Sequence, residues 1–209
     1  MSQNKTNFAV PLAFVGMMFF AIGFALGINS FLIPVLKGAL SLPSGVAYLL
    51  LAATFVPFLI FGYPASATIA KIGYKRTMAL SFLIFAVAFI LFVLSAKLEN
   101  FILFLIASFV SGAANAYLQA SVNPYITILG PIESAAKRMS IMGICNKLAW
   151  PVAPLFFALV VADQTNVQTS DLYLPFYIII GVFLLLGIIS LMAPLPEVKA
   201  AGEDESDTA

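Results

Sequence analysis

Asn115, Gln119 and Asn123 lie four residues apart in "NAYLQASVNPYITILGP", residues 115 to 131, and Pro124 follows them directly in a chain that is otherwise almost all hydrocarbon. On a helix this i, i+4, i+8 spacing, with Ser111 and Gly112 one turn earlier, makes one polar stripe about 12 Å long at 1.5 Å per residue. Amides offer donors and acceptors but take up no proton. Lipid cannot satisfy them, so the stripe must face other helices or a wet cavity. Two readings stand. As interhelical glue each bond contributes only about 0.6 kcal/mol on average. Three amides in register beside a proline that frees a backbone carbonyl favour a substrate path.

A second cluster is "MGICNKLAWPVAP". Asn146 and Trp150 are i, i+4 and share a helix face, with Lys147 beside them. Amides next to a flat aromatic suit carbohydrate, whose hydroxyls want donors and acceptors and whose C–H faces want an apolar plane. Trp150 lies 12 residues from Arg138, about 18 Å along a helix, deeper than the interfacial aromatic belt. Lys147 is the only formal charge inside any apolar run. An ammonium near the bilayer centre costs about 2.5–3.5 kcal/mol on the insertion scale. Its compensation is an acid on another chain or half, an anionic substrate group, the loss of its own proton, or a water-filled vestibule.

The elements that must hold these residues follow from composition. Of 209 residues 62% are hydrophobic and 9% charged, too little polar surface to cover a soluble domain of this size. A helical span takes roughly 20 apolar residues, and six segments qualify, at about 8–36, 46–70, 77–96, 101–129, 139–162 and 172–193. These runs are long and apolar on most faces, without the period-two alternation of a membrane barrel. The expectation is an all-α membrane protein with six transmembrane helices over residues 1–196, and a disordered acidic cytoplasmic tail at 197–209. Lys5, Lys71, Lys75, Arg76, Lys137, Arg138 and Lys199 fall on the side of the termini and only Lys37 and Lys97 on the other, which makes both termini cytoplasmic. The connecting loops are short, so the work is done within the bilayer.

Absences narrow the chemistry. There is no histidine, the single cysteine is Cys145 within the fifth span, and all nine acidic residues fall in loops or tail. His-based acid/base work, metal ligation and nucleophilic catalysis lose their residues, so neither an enzyme nor a metal site is expected. No basic face points to nucleic acid.

A weak internal symmetry is also visible. Span one holds Asn29 and Pro34, span four holds Asn123 and Pro124, and spans two and five each hold two prolines, Pro57 with Pro64 and Pro151 with Pro154. Triplets separated by three spans run oppositely through the membrane, the inverted three-plus-three repeat of transporter halves.

Together "LQASVNPYITILGP", "INSFLIP", "IGYKR" and "CNKLAWPVAP" resemble the amino-terminal half of the fucose permease and glucose/galactose transporter branch of the major facilitator superfamily, over essentially the whole chain to about residue 196. "ATIAKIGYKR" is similar to a degenerate form of that superfamily's loop motif, with Ala70 where an acid is usual. The resemblance implies a sugar site at Asn29 with Ser30, Gln119 with Asn123, and Asn146; Trp150, one turn from Asn146, is expected to stack on the sugar. Proton-coupled fucose permeases carry carboxylates where this chain has Ser30 and Gln119. The amide at 119 is instead similar to the glucose/galactose branch, for which sodium coupling is implied. Gly143 and Lys147 also depart from the family pattern. The expected function is alternating-access transport of a hexose-like sugar across the bacterial inner membrane, without cofactor, with sodium as the coupling ion that the resemblance allows. Members of the superfamily have twelve spans, so this chain is expected to need a second six-helix half or a homodimer partner in the lipid bilayer. The alternative is a non-transporting subunit or an inactive fragment of a split transporter.

Overall fold

The computed structural model describes residues 9–161 and 167–193, and all regular structure among them is helical. In hydrocarbon a helix alone satisfies its own backbone within one segment, so apolar runs of this length have no other open form. The elements are α1 (Ala9–Ala39), α2 (Ser44–Ala47), α3 (Leu49–Lys97), α4 (Phe101–Ile128), α5 (Ala135–Val160) and α6 (Tyr173–Met192), with short 3-10 turns at Ile132–Ser134 and Thr169–Leu172. Asn100 starts α4 by accepting hydrogen bonds from the Ile102 and Leu103 amides at 2.9 and 3.2 Å. The expected tail at 197–209 lies outside the described residues.

Among the described residues five helical stretches are long and apolar enough to cross a membrane. The expected second and third spans run together as α3, which is 49 residues long and leaves helical geometry at Gly73, with φ 80° and ψ 169°. Only glycine takes that φ without a steric penalty, which reduces the expected loop at residues 71–76 to a one-residue break. The chain reverses there. Thr54 lies against Gly112 of α4, the Tyr74 ring lies beside Tyr125 near the end of α4, and Phe92 is back beside Phe104 near its start.

The second arm of α3 carries the core. Phe82, Phe85, Phe89 and Phe92 are spaced three and four apart, so they share one stripe, and all four are fully buried. They interleave with Phe176 and Phe183 of α6, with ring centroids 4.7 Å apart for Phe85–Phe183 and 5.5 Å for Phe92–Phe176. Hydroxyls within the helices are largely self-satisfied: Thr54, Ser81, Ser95 and Ser190 each donate to the carbonyl four residues back at 2.6–2.8 Å.

Arg138 differs from its sequence reading as a loop charge. α5 begins at Ala135, four residues earlier than expected, and Arg138 is buried in its first turn. Its guanidinium donates to Ile126 O at 3.1 Å, Thr127 O at 2.9 Å and Pro131 O at 2.8 Å, and also to Ser134 Oγ. The last carbonyls of α4 have no intrahelical donor, and one planar cation supplies several at once. Gly130, at φ 109°, turns the chain under that guanidinium. Arg138→Ala should therefore lower stability by about 2–3 kcal/mol in detergent. Arg138→Lys should recover little of it, because a single ammonium cannot span three carbonyls. Thermal unfolding followed by circular dichroism measures both, and a wild-type midpoint for Arg138→Ala would refute the clamp.

Candidate functional site

α1, the first arm of α3, α4 and α5 line an open-sided cavity of about 510 Å³. α4 contributes Gln119 and Asn123, and α5 contributes Gly143, Asn146, Lys147 and Trp150. The remaining wall is apolar, made by Phe19, Ile22 and Leu26 of α1 with Phe55 and Phe58 of α3. Asn146 Nδ2 donates to Phe19 O at 3.1 Å, which ties α5 to α1 at the rim. Lys147 Nζ lies 5.2 Å from the centre of the Trp150 ring. Five of the residues singled out from the sequence thus share one concave site.

Asn29 and Ser30 stand apart from it. Asn29 is fully buried between α1 and α4, where Nδ2 donates to Ala25 O at 3.0 Å and reaches Ser111 Oγ at 3.4 Å. Ser30 is half-buried and its hydroxyl bonds back to Leu26 O at 3.1 Å. The single polar stripe expected on α4 also divides. Ser111 and Asn115 are fully buried, Gly112 packs on α3, and Gln119 and Asn123 face the cavity. An i+4 step on a helix of 3.6 residues per turn advances by about 40°, so residues 111 and 123 point about 120° apart. Asn29 Oδ1, both polar atoms of the Asn115 side chain, Ser108 Oγ and Trp150 Nε1 are buried with no hydrogen-bond partner among the described residues.

Sequence reasoning missed the two residues that set the site's width. Gly23 and Gly27 of α1 meet α5 backbone to backbone: a Cβ at Gly23 would stand 1.9 Å from Asn146 O, and one at Gly27 would stand 2.6 Å from Trp150 O. Pro154 lacks the N–H that Trp150 O would otherwise accept, so a carbonyl freed within α5 is turned against Gly27. The signal was present as "GFALG", a pair of small residues four apart.

Lys147 is the one formal charge of the lining, and no carboxylate accompanies it. It sits at the midpoint of α5, about 18 Å from either end at 1.5 Å per residue, too deep to reach a headgroup. Stacking on Trp150 returns about 0.5–2 kcal/mol, short of the roughly 2.5–3.5 kcal/mol that an ammonium costs at mid-membrane.

Residues 14–208 match the family model of the Major Facilitator Superfamily. The chain belongs to that superfamily. It is 31% identical over 209 residues to the glucose/galactose transporter of Brucella abortus biovar 1 (strain 9-941), covering 98% of this chain and 50% of that protein. It is 22% identical over 223 residues to the L-fucose-proton symporter of Escherichia coli (strain K12), covering 97% and 51%. The crystal structure of the superfamily transporter FucP in the outward conformation superposes with a TM-score of 0.76 at 23% identity, over 91% of this chain and 51% of that one, which establishes the fold. The chain thus spans about half the length of the curated relatives it matches, their amino-terminal half. As a superfamily member with five apolar helices of spanning length, it is a multi-pass protein of the bacterial inner membrane.

Gly23→Ala should force α5 away from α1, costing roughly 1–3 kcal/mol from overpacking. The emission maximum of Trp150, the only tryptophan, should shift with it. Gly181→Ala meets open space in α6 and should keep both the unfolding temperature and the emission of the wild type. Equal behaviour of the two variants would refute the close contact as the determinant of the site.

Proposed function

We propose that this chain is a transporter half-unit, not an enzyme, that binds a hexose-like sugar in the 510 Å³ cavity and moves it by alternating access. The observation that carries the reading is the convergence of Gln119, Asn123 and Asn146 with Trp150 on one concave site inside an otherwise apolar bundle. Gln119 and Asn123 bond the hydroxyls, and so do the Asn146 groups not committed to Phe19 O. Trp150 takes the apolar face of the ring. The names of the relatives, glucose/galactose transporter and L-fucose-proton symporter, support a monosaccharide. In this reading Asn29 holds the α1–α4 seam, Ser30 bonds back within α1, and neither touches the ligand.

The described helices cross the bilayer six times with both termini cytoplasmic, the break at Gly73 making two crossings of α3. Reciprocal packing supports two inverted triplets: Gly23 and Gly27 of the first span lie on the fifth, and Gly112 of the fourth lies on the second. A second six-helix half or a second copy completes the cavity. Along the apolar stretch of α5 only 17% of residues are buried, against 56% in α1 and α4 and 28% in α6, which supports a partner over α5. Sodium, expected as the coupling ion, gains no support from relatives named proton symporters. The described helices hold no carboxylate or imidazole to carry a proton, so we place the coupling site in the second half.

Half length also favours a second reading, a binding subunit that transports only when joined to its complement. Counterflow of labelled glucose, galactose and fucose in proteoliposomes of the full chain distinguishes the two. The transport reading expects counterflow that falls at least about tenfold, the equivalent of 1.4 kcal/mol, in the Gln119→Ala, Asn146→Ala double variant. Uptake equal to wild type in that variant rejects the assigned residues. Ligand binding without counterflow supports the subunit reading instead.

A further inference from the structure

Resting on the sugar-binding reading of the same cavity, we infer that its preferred ligand is a sugar acid, a hexuronate whose carboxylate pairs with Lys147. The cavity lining holds one ammonium and no carboxylate. The described acids are all placed elsewhere: Glu133 and Asp171 sit in the 3-10 turns at the helix ends, and Glu99 accepts from Thr169 Oγ1 at 3.0 Å in the connection after α3. Among the described residues Lys147 has no hydrogen-bond acceptor, and its only described interaction is with the Trp150 ring. At 5.2 Å that contact is near the outer limit of a cation–π pair, so Nζ is free to turn toward an anion. The site therefore holds a positive charge midway along α5 that no acid among the described residues neutralises.

The chemistry that completes such a site carries a negative charge next to a polyhydroxylated ring. Gln119, Asn123 and Asn146 provide neutral donors and acceptors for hydroxyls, and Trp150 provides the plane for the C–H face of a pyranose. A hexuronate carries its carboxylate at the edge of its ring, where Lys147 can turn to it from its place over the Trp150 ring, 5.2 Å from the ring centre. A neutral hexose offers that ammonium only hydroxyl oxygens, and a charge-assisted bond is roughly twice as strong as a neutral one.

Trp150 is the sole tryptophan and lines the site, so its fluorescence in the purified full chain reports occupancy. Glucuronate and galacturonate should bind at least tenfold more tightly than glucose and galactose at low ionic strength. The methyl esters should bind like the neutral sugars. Lys147→Gln should erase the at least tenfold preference for the acid over the matching hexose. Hexoses binding as tightly as the uronates, or a preference that survives Lys147→Gln, overturns the sugar-acid assignment and leaves the sugar site standing. A response to acetate equal to that for uronate marks an unspecific anion site and overturns it as well. Silence of Trp150 toward every sugar and sugar acid overturns both the assignment and the sugar-binding reading beneath it.

Discussion

The contact of α1 with α5 through Gly23 and Gly27 determines where the α5 side chains of the cavity stand. With no side chain between them, the two backbones close to the point where a methyl group at Gly23 would overlap Asn146 O. Asn146, Lys147 and Trp150 lie within one turn of that contact, so their positions are inherited from it. The hydrogen bond from Asn146 to Phe19 O fixes the rotation of α5 about the same seam. Association in lipid gains nothing from the hydrophobic effect between helices, so close backbone packing of this kind has to supply it.

The opposite side of the bundle holds the helices together by different means. The phenylalanines of the second arm of α3 interlock with those of α6, while Ser81 and Ser190 bond within their own helices. Serines and threonines there return their protons to carbonyls four residues earlier, so they read as polar in the sequence and behave as apolar in the fold. Amides, with both donors and an acceptor to satisfy, and Lys147 cannot be fully absorbed this way. They are the side chains whose surroundings carry information, and the structure sorts them into a cavity on one side of α4 and a buried seam against α1 on the other.

Arg138 joins the two regions. By occupying the last carbonyls of α4 and the Pro131 carbonyl, it holds the end of the helix that carries Gln119 and Asn123 against the start of the helix that carries Asn146 and Trp150. A charge that counts toward membrane orientation in the sequence therefore has a structural task at the α4–α5 corner.

The sequence by itself determined the membrane-spanning all-helical class, the family, the place of Lys147 and Trp150 well inside the fifth apolar run, and the amide-rich character of the fourth span. All of these depend on local composition, helical rise and motif, which need no knowledge of neighbours. Tertiary structure alone decided which amides share a cavity. Gln119, Asn123 and Asn146 meet there while Asn29 and Asn115 are sealed between helices, because a four-residue repeat drifts around the helix and the fate of each side chain depends on which neighbour covers that angle. It also decided the reversal at Gly73 and the burial of Arg138. A positive φ and a set of orphan carbonyls 7 to 12 residues away become visible only once the backbone is placed in space.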